Sequence, residues 1–373
     1  MILYQGLLRS PASWARVGRG YVGAFVKLGI DFAVLAPRGF RYDPAFAIPA
    51  GVREVSTGEA QSLPEPEVGL GFLHPPLVGR LLGHKKVNLF VWEADRVPTA
   101  WVESLEHGTH LVIVPSSFTR EALVRSGFPG ERVLVAPLGH DVEETPVEPY
   151  RGPGRPFTFL SIVSPHERKG IRELLRAYAL AFRSGDGVLL RIKSTYDPGE
   201  ARRRFPFEIG SWKEALDFCG LSAPGSPPVD LVVRTLDDAA TLALYLESDV
   251  CVQPSWGESF GLAILDALAS GVPAIATGWG GHMDFFPAGP DALPYVLREA
   301  GAALYEPAPG AHVAIPDVQA LAERMRWHRE HPAESRALGA AARRAVSKLT
   351  WQNAARKLLA LLPWTGAVAE TSS

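Results

Sequence analysis

The chain has 373 residues, too many for one ordinary compact core and a fit for two domains. With 47% hydrophobic and 21% charged residues it packs rather than staying disordered, and its 36 glycines and 32 prolines show no collagen-like period. The net charge is −2, with 14 basic against 16 acidic residues up to residue 150 and 24 against 24 after it; neither half carries the positive excess of a non-specific nucleic-acid binder.

In chain order, short apolar runs alternate with longer amphipathic stretches. Ile2–Tyr4, Phe32–Ala36, Val68–Phe72, Val87–Trp92 and Leu111–Pro115 read as buried strands bounded by turn formers. Ala15–Leu28, Leu77–Leu82, Ala100–His107 and Thr119–Ser126 read as the helices between them. After Pro149 the Gly/Pro-rich RGPGRP reads as an interdomain linker. Strands Phe157–Val163, Val188–Lys193, Asp230–Arg234, Asp249–Gln253 and Ala274–Thr277 follow, with helices Ile171–Phe182, Leu236–Glu247 and Ser259–Ser270 among them. Three alanine-rich helical stretches lead to a last helix, Trp351–Leu362. Strand–helix repeats of this kind predict parallel sheets covered on both faces. The expected fold is α/β: two Rossmann-like, doubly wound domains, 1–150 and 151–349, facing a cleft, with ligands outside the carboxyl ends of the strands.

Two cysteines, Cys219 and Cys251, form no CxxC and no disulfide framework, which fits a reducing compartment. The ten histidines show no HxxxH or HxH spacing, so no metal site is expected. The N-terminal stretch lacks the basic and long apolar regions of a signal peptide, and no apolar run approaches the ~18–20 residues of a membrane span. A cytoplasmic location is expected, with a peripheral membrane contact left open. The run Arg202-Arg203-Arg204 reads as a solvated helix face.

The most informative stretch is DVCVQPSWGESFGLAILDALASGVPAIAT, residues 249–277. A strand ends in a Pro-Ser-Trp-Gly turn and passes into a helix near Ser259. Gly257 and Gly261 leave the backbone there unshielded, and the free amides of Phe260, Gly261 and Leu262 would meet an anion, for which a phosphate is the usual occupant. Glu258 precedes the helix, and Asp266 lies about 9 Å along its axis from Phe260, at 1.5 Å per residue. One acid can then reach a sugar and the other a ribose, on opposite sides of a diphosphate. Either acid alone reads equally as a capping or solvated residue; the pair after a strand and a glycine turn is the specific signal.

These residues resemble the signature of retaining glycosyltransferase family 4, which has the GT-B fold. There an acid, seven intervening residues and a second acid flank the donor site, usually as two glutamates. Here Glu258 is the first, and Asp266 stands where the second glutamate normally is, keeping the carboxylate with one methylene less reach. The resemblance implies that Glu258 binds donor-sugar hydroxyls and that the backbone of Ser259, Phe260, Gly261 and Leu262 holds the diphosphate. A second similar segment is FTFLSIVSPHERKGIRELLRAYALAF, residues 157–182. It implies that Lys169, with Arg168, clamps the leaving diphosphate, where two cations stabilise developing charge. Many members carry an arginine five or six residues before this lysine; here Val163 and Ser164 stand there. VVRTLDDAATLALYLESDVCVQPS resembles the base-binding strand and helix, placing Arg234, Thr235 and Leu236 at the nucleobase. Ser164 and Lys193, at the ends of the first two strands of this half, complete the donor set. TGWGGHMDF, residues 277–285, and VIVPSSFTREALVRSGFPGERVLVAPLGHD, residues 112–141, are similar to further family segments. The tail from residue 350 fits the GT-B helix that crosses back to the N-terminal domain.

The N-terminal half is expected on the acceptor side. Gly6 occupies the place of the family's glycine-rich loop after the first strand, without the usual double glycine, and Ser13 reads equally as a helix N-cap. His74, after the strand at 68–72, and Glu93, in FVWEADRVPTAW, are acceptor-side candidates, though each also reads as a turn or capping residue. The resulting expectation is a retaining hexosyltransferase, using a nucleotide-diphosphate sugar, a hydroxyl acceptor (glycan, lipid-linked sugar or small molecule) and no metal, by front-face substitution. The alternatives left open are a nucleotide-sugar epimerase of the same fold and a catalytically silent nucleotide-sugar-binding partner subunit.

Overall fold

The computed structural model describes residues 1–36, 42–62, 64–142, 154–201, 210–301, 304, 306 and 308–363. Residues 151–153 of the expected RGPGRP linker, the boundary at 150 and the Arg202–Arg204 run lie outside these residues. The chain divides into two compact units, one of Met1–Asp141 with Lys348–Ser373 and one of Val142–Ser347.

The first unit contains β1 (Ile2–Gly6), α1 (Ser13–Lys27), β2 (Phe32–Leu35), α2 (Thr57–Ser62), β3 (Val68–Phe72), β4 (Lys85–Leu89), α3 (Thr99–Gly108), β5 (Leu111–Val114), α4 (Ser117–Arg125) and β6 (Val133–Val135). Its six strands pair in parallel in the order β2-β1-β3-β4-β5-β6. All five residues of β1 are buried, as a strand covered on both faces requires. Tyr4 points from β1 into space that two glycines leave: a Cβ on Gly6 would lie 2.9 Å from its hydroxyl, and one on Gly18 2.6 Å. The small residue at position 6 is thus explained by packing inside this unit. α1 turns Val17, Tyr21, Val22 and Phe25 inward at helical spacing.

The second unit contains β7 (Phe157–Ile162), α5 (Ile171–Ala181), β8 (Val188–Ser194), α6 (Pro198–Ala201), α7 (Trp212–Phe218), β9 (Val229–Val233), α8 (Asp238–Leu246), β10 (Val250–Gln253), α9 (Leu262–Ala269), β11 (Ala274–Thr277), β12 (Ala292–Leu293), β13 (Tyr295–Glu299), β14 (His312–Pro316), α10 (Val318–Glu330) and α11 (Pro332–Val346). Six parallel strands run β12-β11-β10-β7-β8-β9, and β13 pairs antiparallel with β14. The core gathers Phe159, Leu174, Leu175, Tyr178, Ile192 and Val252 between sheet and helices. The chain winds outward from β7 through β9, then returns to the other side of β7 at β10. That reversal opens a crevice at the carboxyl ends of β7 and β10, where ligands bind in open α/β sheets.

The final helix, α12 (Trp351–Leu361), belongs to the first unit. The Trp351 ring meets Tyr21 of α1 edge-on at 5.4 Å, and a Cβ on Gly20 would lie 2.3 Å from it. The His140 amide donates to the Leu349 carbonyl at 2.9 Å.

Several elements differ from the sequence reading. The stretch expected as helix 77–82 is a 3-10 turn, Pro75–Arg80, begun by two prolines. Ser13 is not a cap: the N-cap of α1 is Ala12, which makes no side-chain cap bond. The helix expected from Ser259 starts at Leu262, because Gly261 takes a left-handed conformation at φ +84° and the three preceding residues stay in the loop. Two helices, α10 and α11, stand between β14 and α12, rather than three helical stretches. β6, β12, β13 and β14 were not foreseen; β6 and β12 have three and two residues, β13 is exposed throughout, and β14 buries only Val313, Ala314 and Pro316.

Candidate active site

The loop after β7 carries Arg168 and Lys169 in a 3-10 turn, Glu167–Lys169, closed by Gly170 at φ +63°. A Cβ on Gly170 would lie 2.0 Å from the Pro254 carbonyl, so only glycine permits this loop to touch the loop after β10. The Trp256 amide donates to the Arg168 carbonyl at 2.7 Å and fastens the two loops. Both follow the strands that flank the topological reversal, so two segments 89 residues apart supply one cluster.

Lys169 Nζ donates to Glu258 Oε1 at 2.5 Å. Arg168, 5% exposed, donates to the Gly257 carbonyl at 2.5 Å and stands 3.9 Å from Glu258 Oε2. Burial by itself would raise the Glu258 carboxyl; the charges of Lys169 and Arg168 outweigh it and bring it down to about 2. Glu258 is therefore ionised at every physiological pH, and the two cations around it are fixed in position. An arriving anion would find both cations already at the mouth of the crevice, and an ammonium with three donors can serve a phosphate as well as a carboxylate.

α9 begins immediately beside them. Gly261 caps it without a side chain, and its carbonyl accepts from Ile264 and Leu265, both at 3.0 Å. Its first-turn amides and dipole favour negative charge there. The loop after β11 supports this start. The Gly281 amide donates to the Glu258 carbonyl at 2.7 Å, and a Cβ on Gly280, at φ +121°, would lie 3.0 Å from that same oxygen.

Residues 115–358 match the family described as Family 4 Glycosyltransferase in conflict systems. The chain belongs to this family. Over 155 residues, 42% of this chain and 36% of the relative, it is 26% identical to WcaL of Escherichia coli (strain K12), a glycosyltransferase proposed for colanic acid biosynthesis. The chain thus spans little more than a third of that relative's length. Two solved structures are similar over nearly their whole length. HepE of Anabaena, solved with UDP and glucose, superposes with a TM-score of 0.68 at 15% identity, covering 96% of this chain and 98% of HepE. Sucrose-phosphate synthase from Thermosynechococcus elongatus gives 0.68 at 17% identity, covering 96% and 97%. The likeness is one of fold, and that fold is GT-B.

In this family 4 glycosyltransferase the other expected donor residues follow the order of the strands. Lys193, 8% exposed at the end of β8, donates through Nζ to Thr195 Oγ1 at 3.1 Å, and its carbonyl accepts from Val163 at 3.0 Å. Ser164 lies half-buried in the β7 loop. Arg234 and Thr235 are exposed and Leu236 half-buried beyond β9, with the Arg234 amide donating to the Ser194 carbonyl at 3.0 Å. Ser259 and Phe260 are buried, and Phe260 packs on Phe285 at 5.0 Å between ring centroids. Asp266 sits on the inner side of α9, 3% exposed; burial pushes the Cys251 thiol on β10 up to about 12, and the Asp266 charge adds to that. Its carboxylate therefore lies close to the sheet.

Two histidines went unremarked in the sequence. His282, 1% exposed, hydrogen-bonds the Thr277 carbonyl through Nε2 at 2.7 Å, and its Cβ would stand 3.0 Å from a Cβ on Gly261. Burial lowers its pKa, so the ring is neutral, donates from Nε2 and braces the start of α9. His166, in the β7 loop, is held well below its ordinary value by burial and by the adjacent Arg168 and Lys169. The signal for both was present, as a histidine in each of the two glycine-bearing family segments, but no spacing rule ties a lone histidine to a helix start.

In the first unit Gly6 is buried at the end of β1. His74 is half-buried just beyond β3, and Glu93 half-buried beyond β4. Among the described residues no group of three or more His, Cys, Asp or Glu gathers to hold a metal, and no helix is long and apolar enough to cross a membrane.

Proposed function

We propose that the chain is a retaining glycosyltransferase that moves a hexose from a nucleotide-diphosphate sugar to a hydroxyl acceptor. The observation that carries this reading is the convergence of Lys169, Arg168 and Glu258 beside the glycine-capped start of α9, at the point where the strand order reverses. Lys169, Arg168 and the first amides of α9 would hold the diphosphate, and Glu258 the hydroxyls of the transferred sugar. Arg234–Leu236 would meet the base, and Asp266 the ribose side. The acceptor would be held by the first unit.

In the transfer step the acceptor oxygen forms the new bond to the anomeric carbon while the bond from that carbon to the phosphate oxygen breaks. The electron pair leaves with the nucleoside diphosphate, whose oxygen takes the acceptor proton on the same face, so configuration is kept. The two cations and the helix dipole would offset the charge that grows on the leaving phosphate, the arrangement that lowers a barrier most. No side-chain nucleophile is required.

The test is a thermal-shift screen with UDP-, GDP- and ADP-sugars, followed by NMR of the product's anomeric centre. A ligand that binds only the native state raises its melting temperature, and HepE, also solved with UDP-glucose, makes that the first donor to try. An inverted product would refute the mechanism. Epimerisation of donor incubated alone would replace the transferase reading.

A further inference from the structure

The first unit has its own reversal of strand order, between β1 and β3, with β2 on the far side of β1. The carboxyl ends of β1 and β3 therefore flank a second crevice. An aromatic assembly stands there. Trp14, in the first turn of α1, lies nearly parallel to Phe72 (centroids 5.8 Å apart, planes at 21°) and to His74 (6.2 Å, 20°). The Trp14 side chain is half-buried, so part of the indole reaches solvent at the mouth of this crevice. The platform is rigid: His74 is braced edge-on by the buried Trp101 at 4.3 Å, and Trp101 by Trp92 at 5.1 Å.

We infer that Trp14 is a stacking surface for the pyranose ring of a carbohydrate acceptor. This rests on the transferase reading above, whose acceptor class it supplies. A pyranose offers a patch of weakly positive C–H groups that fits the negative face of an indole, and its hydroxyls need polar neighbours at the rim. His74 beside the indole and Glu93 beyond β4 supply polar groups in the same part of the unit. A hydrocarbon chain would need a long apolar slot. The apolar void behind this platform, lined by Val17, Tyr21, Phe72, Leu89 and Leu138, measures about 10 Å³, room for one water at most.

The experiment is saturation-transfer NMR on the full chain with the methyl α- and β-pyranosides of glucose, galactose and N-acetylglucosamine, without donor. Wild-type protein is expected to saturate the C–H protons of one ring face. Trp14→Ala should weaken that transfer more than tenfold, and Trp14→Phe should hold it within about threefold. Trp14→Leu, which keeps apolar bulk without a π face, replaces the alanine variant if that one fails to fold. Equal saturation in Trp14→Ala or Trp14→Leu overturns the inference, as does the absence of transfer to all six glycosides in the wild type. Saturation of adenosine or of the alkyl tail of a decyl glycoside in place of the sugar ring overturns it too. Stabilisation by UDP, measured on the same samples, separates the two readings. If UDP stabilises the protein and sugar saturation ignores Trp14, the platform falls alone; if UDP-, GDP- and ADP-sugars all fail while saturation depends on Trp14, the transferase reading falls and the sugar platform stands.

Discussion

Lys169 Nζ lies 2.5 Å from Glu258 Oε1, a contact between residues 89 positions apart that joins the loops after β7 and β10. The pair is mostly withdrawn from solvent, with the side chains 18% and 14% exposed. Each charge keeps the other in place until a ligand arrives.

Lys169→Ala removes the cation nearest the expected leaving phosphate. Turnover should fall by about 10²–10³-fold, the loss typical of deleting one preorganised charge-stabilising donor. Steady-state kinetics with saturating donor measure it. Unchanged kcat would take Lys169 out of the chemistry.

The acid limb of stability should carry the signature of Glu258. Its folded-state pKa is lowered to about 2, against about 4.3 for an ordinary glutamate, so its stabilisation is complete above the ordinary value and disappears as pH falls towards 2. Urea titrations between pH 5 and 2 should show a smaller acid loss in Glu258→Gln, by about 1–3 kcal/mol. His166 and His282 act in a higher window. Both are kept neutral by burial, so stability declines as pH drops below the ordinary histidine value of about 6.5, where the unfolded chain takes up protons first. Wild-type and His282→Gln proteins compared between pH 7 and 5 test this, the variant declining less.

Gly170→Ala should do more damage than a glycine replacement in open space. Its new Cβ would collide with the Pro254 carbonyl at 2.0 Å in addition to the left-handed backbone at φ +63°. Gly185 has φ +94° and nothing within 4 Å, so Gly185→Ala carries the backbone penalty alone, about 1–2 kcal/mol. Denaturant melts should place Gly170→Ala at least 1–3 kcal/mol below it, the range for forced overpacking. Any stabilisation that the wild type gains from a nucleotide sugar should be lost with it.

Gly20→Ala tests the docking of the final helix. The added methyl would meet the Trp351 ring at 2.3 Å, where α12 lies against α1. A loss of about 1–3 kcal/mol is expected. Chains ending at residue 347 should expose Tyr21 and aggregate, which light scattering detects. A soluble, cooperatively melting truncation would show that α12 is dispensable.

The fold of the second unit was legible because its cues are local. A strand, a turn containing Gly257 and a helix containing Asp266 fall within 29 residues, and Arg168-Lys169-Gly170 directly precede an amphipathic helix. Helix starts were less legible. Whether Gly261 caps a helix or lies inside one depends on a positive φ, which a periodic apolar pattern does not encode. β13 was missed for a related reason: its five residues are all exposed and carry no burial pattern.

The order of residues alone determined the fold class, since buried apolar strands alternating with amphipathic helices can be covered only as parallel sheets. It also determined which cations and acids stand at strand ends. Only the tertiary structure decided that Lys169 pairs with Glu258, that His282 braces Gly261, and that Trp14 lies across Phe72 and His74. Those contacts depend on which strands become neighbours when the winding reverses at β7–β10 and at β1–β3. That choice is made by the packing of whole helices on the sheets, and no short window of sequence records it.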